Sequence, residues 1–149
     1  MKTYGMTRGF RNHNPCNLRT LPLPAIWKGQ MGVDNNPGGP FAIFGDLDGQ
    51  EADFWGLRGA ARNFKSYQTR DGCLTMGQVI QRHAPPDDDN NTQAYVAFVC
   101  KGMGIDPDVP VSLATSPQLM LRLIKQVVRE ENGMCPYSDE FIASAIAAA

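Results

Sequence analysis

Between Ser116 and Gly133 the chain carries its most restrictive pattern. Met120, Leu123, Ile124, Val127 and Val128 form the apolar stripe of a helix that must bury one face. Ser116 suits the N-cap, Pro117 the first helical position, and Gly133 the residue just past the end. A stripe this complete needs apolar partners around it, so the expected architecture is mostly helical. The stripe's next position is Glu131, whereas Glu130 lies about 100° away around the helix. A carboxylate on the buried side is disfavoured unless it is paired or has a chemical role. Desolvation and the helix dipole both raise its pKa, which is how a Glu becomes a general acid near neutral pH. On the period alone, the alternative is that the helix frays early and Glu131 reaches water.

Residues 1–50 hold most of the turn punctuation: Asn14-Pro15, Leu21-Pro22-Leu23-Pro24 and the run from Asn35 to Pro40. That third reads as loop with short extended pieces, and Phe41–Phe44, bounded by Pro40 and Gly45, is its strand. After Gly49 the pattern is helical. The first helix is expected from about Gln50 to Gln68, and a short second one starts at Thr75 with Gln78 in a capping box and ends before Pro85-Pro86. A third runs from Asn90-Asn91 to Gly104, the Ser116 helix follows, and a last one starts at Ser138. The expected fold class is mainly α, or α+β with a small N-terminal β element, in a single domain over residues 1–149.

Fourteen basic and fifteen acidic residues leave a formal net charge of −1, which argues against a nucleic-acid binder gripping by bulk charge. No apolar run is long enough for a membrane span, and Met1-Lys2-Thr3-Tyr4-Gly5 lacks a signal-peptide stretch. The expectation is therefore synthesis in the bacterial cytoplasm without membrane insertion. Cys16, Cys73, Cys100 and Cys135 are too widely spaced for a Cys-x-x-Cys pair, and a zinc site would have to recruit His13 or His83 from distant segments. Buried or half-buried thiols are the simpler expectation, with one disulfide left open. Neither Asp46–Leu57 nor the loop from Asp87 has the glycine and glutamate a calcium loop requires. The latter reads as a solvated loop with an N-cap. No metal or cofactor is expected.

Other residues have two readings each. Asp46 and Asp48, with Glu51 and Asp53, can supply a second carboxylate to act beside a general acid, or Glu51 and Asp53 can simply favour a helix N-terminus. Asn12, Asn14 and Asn17 offer both donors and acceptors to a polar ligand, or serve the turn around Pro15. Trp27, Trp55 and Tyr67 can stack on a ligand or fill the core. Tyr95 lies on the apolar face of its helix yet has a hydroxyl that needs a partner. His83 reads as a helix terminator.

Glu131-Asn132-Gly133-x-x-Pro136-x-Ser138 resembles the Glu-Ser-x-x-x-Pro…Ser segment of soluble lytic transglycosylases and goose-type lysozymes. Asn91-Thr92-Gln93-Ala94-Tyr95-Val96 is similar to their Glu-Thr-x-x-Tyr-Val stretch, with Asn91 in place of Glu. The segment from Arg8 to Arg19 resembles the Arg-Gly-Ile-Arg-Asn-Asn-Asn-Pro-Gly-Asn-Ile-Arg opening of a phage and prophage muramidase family. Here Cys16 replaces Gly and His13 replaces Asn. Trp27-Lys28-Gly29-Gln30, Phe41–Phe44, Gly56–Ala60 and Ala84-Pro85-Pro86 continue that match in order.

The resemblance implies a lysozyme-like fold and cleavage of peptidoglycan between N-acetylmuramic acid and N-acetylglucosamine. Glu131 would be the general acid/base, Tyr95 would line the cleft beside it, and Asn12, Asn14, Asn17 and Gln30 would contact the glycan. The Asn-rich loop opens the chain and the Glu helix closes it, the reverse of the usual order, which reads as a circular permutation. The implied partners are glycan strands, together with a phage particle or secretion machinery that brings the protein to the wall. The implied place of action is the periplasm, after lysis, virion delivery or secretion. No obvious second catalytic carboxylate leans the reading toward a transglycosylase. A non-catalytic virion or wall-binding protein that retains the fold is the alternative.

Overall fold

The computed structural model describes residues 7–86 and 91–149. The Ser116 hydroxyl accepts from the Leu119 amide and so starts helix α5, Pro117–Asn132; Gly133, at a left-handed φ of 82°, ends it. Met120, Leu123, Ile124, Val127 and Val128 are all wholly buried. They meet helices on several sides: α1 (Arg8–Arg11), α2 (Ala52–Thr69), α4 (Thr92–Met103) and α6 (Asp139–Ala147) all pack against α5. The stripe therefore runs through the centre of the helical assembly. Helix α3 (Met76–His83) bridges α2 and α4.

Local chemistry sets the other ends. Thr75 and Gln78 make the reciprocal capping box at α3, Asn91 caps α4 through Ala94, and Ser138 caps α6 through Phe141. At α2 the helix begins at Ala52 rather than near Gln50, because the Asp46 side chain reaches across the turn to accept from the Ala52 amide at 2.9 Å. The residues from Asp87 to Asn90 and the N-terminal Met1–Gly5 segment read above lie outside the described residues.

Phe41–Phe44 is a strand, β2, and it pairs antiparallel with β1, Gln30–Asp34, across the proline- and glycine-rich turn. β1 escapes the alternation rule because its apolar residues Met31 and Val33 point to solvent while Asp34 is buried. Helix α1 is too short to show a period. The observed class is thus mainly α with a small two-stranded sheet.

Two glycines bring the N-terminal loop against the helices. A Cβ at Gly56 of α2 would collide with the His13 carbonyl, and one at Gly9 would sit 2.6 Å from Asn132 Oδ1. Asn132 is itself held from three directions: it accepts from the Thr7 hydroxyl at 2.8 Å and donates to the carbonyls of Pro15 and Val128. The loop is in this way fastened to the last turn of α5, one residue beyond Glu131. Among the described residues, no helix is long and apolar enough to cross a membrane.

Candidate functional site

Glu131 lies in the last turn of α5, half-buried, and lines a cleft of about 600 Å³. Arg8, segment 17–22, Trp27, Gly38 and Phe41 form part of that lining; Asn63, Tyr67 and Arg70 from the α2 region, and Arg82–Pro85 at the end of α3, form the rest. Glu130 is exposed, so the helix presents the two neighbouring carboxylates to different surroundings.

The Tyr95 hydroxyl, brought in by α4, donates to Glu131 Oε1 at 3.2 Å. Asn17 hydrogen-bonds the same carboxylate from the N-terminal loop. Burial pushes the Glu131 carboxyl above its ordinary range; Asn17 and Tyr95, which favour the charged form, hold it partly back, and the Glu130 charge adds to the rise. Burial and the facing carboxylate keep Tyr95 a phenol. Such a carboxyl retains a proton at a higher pH than an exposed Glu does, and has two fixed hydrogen-bond donors for the anion left after the proton departs.

Asn17 owes its place to a left-handed backbone, φ 52°, which Asn tolerates better than most residues. Cys16, the departure from Gly in the opening motif, is not one of the positive-φ residues and is wholly buried behind this turn. Burial, with the Glu131 charge, keeps its thiol protonated. The positive φ at His13 falls on the other departure, and its ring meets Asp53 at 2.8 Å. All four cysteines are free thiols, Cys16 and Cys100 buried, Cys73 and Cys135 partly so.

The other expected glycan contacts are engaged elsewhere. Asn14 is wholly buried: it donates to the carbonyls of Leu18 and Ala42 and accepts from the Leu18 amide, which ties the loop to β2. Asn12, also buried, donates to Asp34 at 2.9 Å and holds that carboxyl below its usual range. Gln30 accepts from the Trp27 amide at 3.2 Å and is not part of the cleft lining. Asp46 caps α2, and Asp48 is exposed beside Lys28, so neither sits as a second carboxylate in the cleft. Asn12, Asn14, Gln30, Asp46 and Asp48 are thus not among the residues that line the cleft. Trp55 is buried with its indole N–H on the Leu47 carbonyl, whereas Trp27 and Tyr67 do reach the cleft.

Residues outside the expected set complete the site. His83 ends α3 as expected, but it also lines the cleft, with its ring among Phe64, Tyr67 and Tyr95. Burial brings it down to about 4, against the opposing effect of a hydrogen bond to the Cys16 backbone. It is therefore a neutral imidazole at pH 7. Arg8, Arg19, Arg70 and Arg82 also line the cleft. The first two bracket the opening motif, which is the signal that could have marked them.

The fold and site define a mainly helical protein with a half-buried, hydrogen-bonded glutamate in a polar cleft. Over 132 residues the chain is 30% identical to Protein P5 of Pseudoalteromonas phage PM2, covering 88% of this chain and 74% of that protein. The chain belongs to the family of that phage protein. No protein-family profile matches the sequence.

Proposed function

We propose that this chain is a peptidoglycan-cleaving glycosidase, a muramidase or lytic transglycosylase on a circularly permuted lysozyme-like fold. Glu131 is its general acid/base. The observation that carries the reading is the placement of Glu131: it continues the buried stripe of α5, opens into a cleft, and accepts from Tyr95. The motif resemblance around Glu131 and Tyr95 supports the same assignment.

In the reaction, protonated Glu131 gives its proton to the glycosidic oxygen as the bond from the muramoyl C1 to that oxygen breaks. Tyr95 and Asn17 then stabilise the carboxylate. Glu131 takes a proton back from the attacking hydroxyl, either of water or of the sugar's own C6, which gives a reducing or an anhydro end respectively. That the relative is a phage protein supports a virion as the carrier.

Purified sacculi test this. Loss of turbidity with wild-type protein and none with Glu131→Gln is the expected result, and mass spectrometry of the fragments separates anhydro from reducing ends. Intact sacculi that bind the protein without fragmentation would establish the non-catalytic wall-binding alternative instead.

A further inference from the structure

Four of the residues that line the cleft are arginines, in a chain whose overall charge is −1. They come as two pairs. The Arg8 and Arg19 guanidinium groups both lie 5.0 Å from the Phe41 ring centre. Arg8 is further held by the Pro37 carbonyl at 2.8 Å and by Asp34 at 3.4 Å, and Arg19 by the Gly39 carbonyl at 3.1 Å. Arg70 and Arg82 share one carboxylate, Asp71, at 3.0 and 3.3 Å, and Arg82 also sits 5.5 Å from the Tyr67 ring centre. Two guanidinium groups on one carboxylate leave a surplus positive charge, and two on one ring concentrate it. The backbone and ring contacts fix these groups in place before any ligand arrives.

None of the four arginines is among the groups that shift the Glu131 carboxyl. Asp34 and Asp71 balance two of the four charges, which leaves a surplus of two on the cleft wall. Glu131 is the carboxylate among the described lining residues, and it is neutral when it acts as an acid, so it does not offset them.

Resting on the glycosidase reading, we propose that the Arg8/Arg19 and Arg70/Arg82 pairs form an anion-binding rim. It selects glycan strands that carry carboxylates, on the peptide or on a lactyl ether that bears no peptide, over neutral acetylated glycans. A guanidinium fork matches a carboxylate in two parallel hydrogen bonds, and a positive rim attracts an acidic polymer in a way that salt screens. A duplex nucleic acid is the competing anionic polymer; the low overall charge disfavours it.

The test compares intact sacculi with sacculi whose carboxylates have been capped by glycinamide. Wild-type protein is expected to cleave the intact wall more efficiently, with an advantage that shrinks as salt rises. Arg19→Gln/Arg82→Gln is expected to raise KM on the intact wall about tenfold, to lose the preference for it, and to leave the pH limbs of kcat in place. Arg19→Lys/Arg82→Lys should recover part of the KM. Equal cleavage of intact and capped walls by the wild type overturns the rim and leaves the glycosidase reading standing. Should the wild type cleave neither wall, the glycosidase reading falls, and pelleting of Glu131→Gln with the two walls decides the rim by itself: preference for the intact wall supports it, equal binding overturns it. Duplex DNA displacing that protein from the wall at lower charge concentration than soluble carboxylated glycan would also overturn the assignment.

Discussion

The Tyr95 hydroxyl donates to Glu131 Oε1 at 3.2 Å across the packed faces of α4 and α5. A hydrogen bond to the charged form lowers a carboxyl pKa, so this contact opposes the rise that burial imposes. Tyr95→Phe removes the donor but keeps the ring. The Glu131 pKa should move up, so the alkaline limb of the pH–rate profile should shift to higher pH. The maximal rate should fall about tenfold, ~1.4 kcal/mol, because the carboxylate formed on proton transfer has lost a partner. Initial rates on sacculi between pH 4 and 9 check both effects, and an unshifted limb would mean that Tyr95 does not act on the acid.

Glu131→Gln should abolish wall cleavage, and Glu130→Gln should leave it within about twofold. The stability effect has a definite sign. The folded-state pKa of Glu131 lies above its ordinary 4.5, so the native protein binds that proton more tightly than the unfolded chain. Its contribution is present below pH 4.5 and is lost as pH rises through the folded value. Glu131→Gln does not lose it. The variant should gain in melting temperature relative to wild type between pH 4 and 7, as read by thermal melts at both pH values.

Asn14 and Asn17 are three residues apart and should separate stability from activity. Asn14→Ala leaves the buried Leu18 amide without its acceptor and takes a donor from the Ala42 and Leu18 carbonyls, the latter keeping the Ala42 amide, with an expected loss of about 2–3 kcal/mol. Asn17→Gly keeps the left-handed backbone and removes only the side chain facing Glu131. It should change stability by less than about 1 kcal/mol while lowering the cleavage rate and raising the Glu131 pKa. Urea midpoints paired with rates give both values; an inactive, fully stable Asn14→Ala would contradict the assignment.

His83 makes the fold sensitive to acid. Its pKa drops from 6.5 in the unfolded chain to about 4 in the folded protein. The unfolded chain therefore takes up the proton first. The stability contribution is present above pH 6.5 and is lost as pH falls toward 4, on the order of 3 kcal/mol in all. His83→Gln, which cannot titrate, should lose less stability than wild type between pH 7 and 4.5. Denaturant midpoints at the two pH values, compared between the proteins, isolate this residue from the other titrating groups.

Local patterns determined the helices. The Met120–Val128 stripe, the Ser116 and Gly133 ends and the Thr75–Gln78 box each report on neighbouring turns of one segment, and each appears where the pattern places it. The sequence likewise separated Glu131 from Glu130, because about 100° of helix rotation is enough to do so. β1 was not legible, because its apolar side chains face solvent and its buried one is an aspartate. The three asparagines of the loop were equivalent as residue types; only the packing of that loop on β2, α2 and the end of α5 turns Asn12 and Asn14 inward and leaves Asn17 beside the acid. The same holds for His83 and the four arginines. In sequence they are surface or helix-end residues of separate segments, and tertiary structure alone brings them to one cleft. Periodicity records which face of a segment leaves water; the meeting of polar groups from distant segments depends on long-range packing, which no local pattern carries.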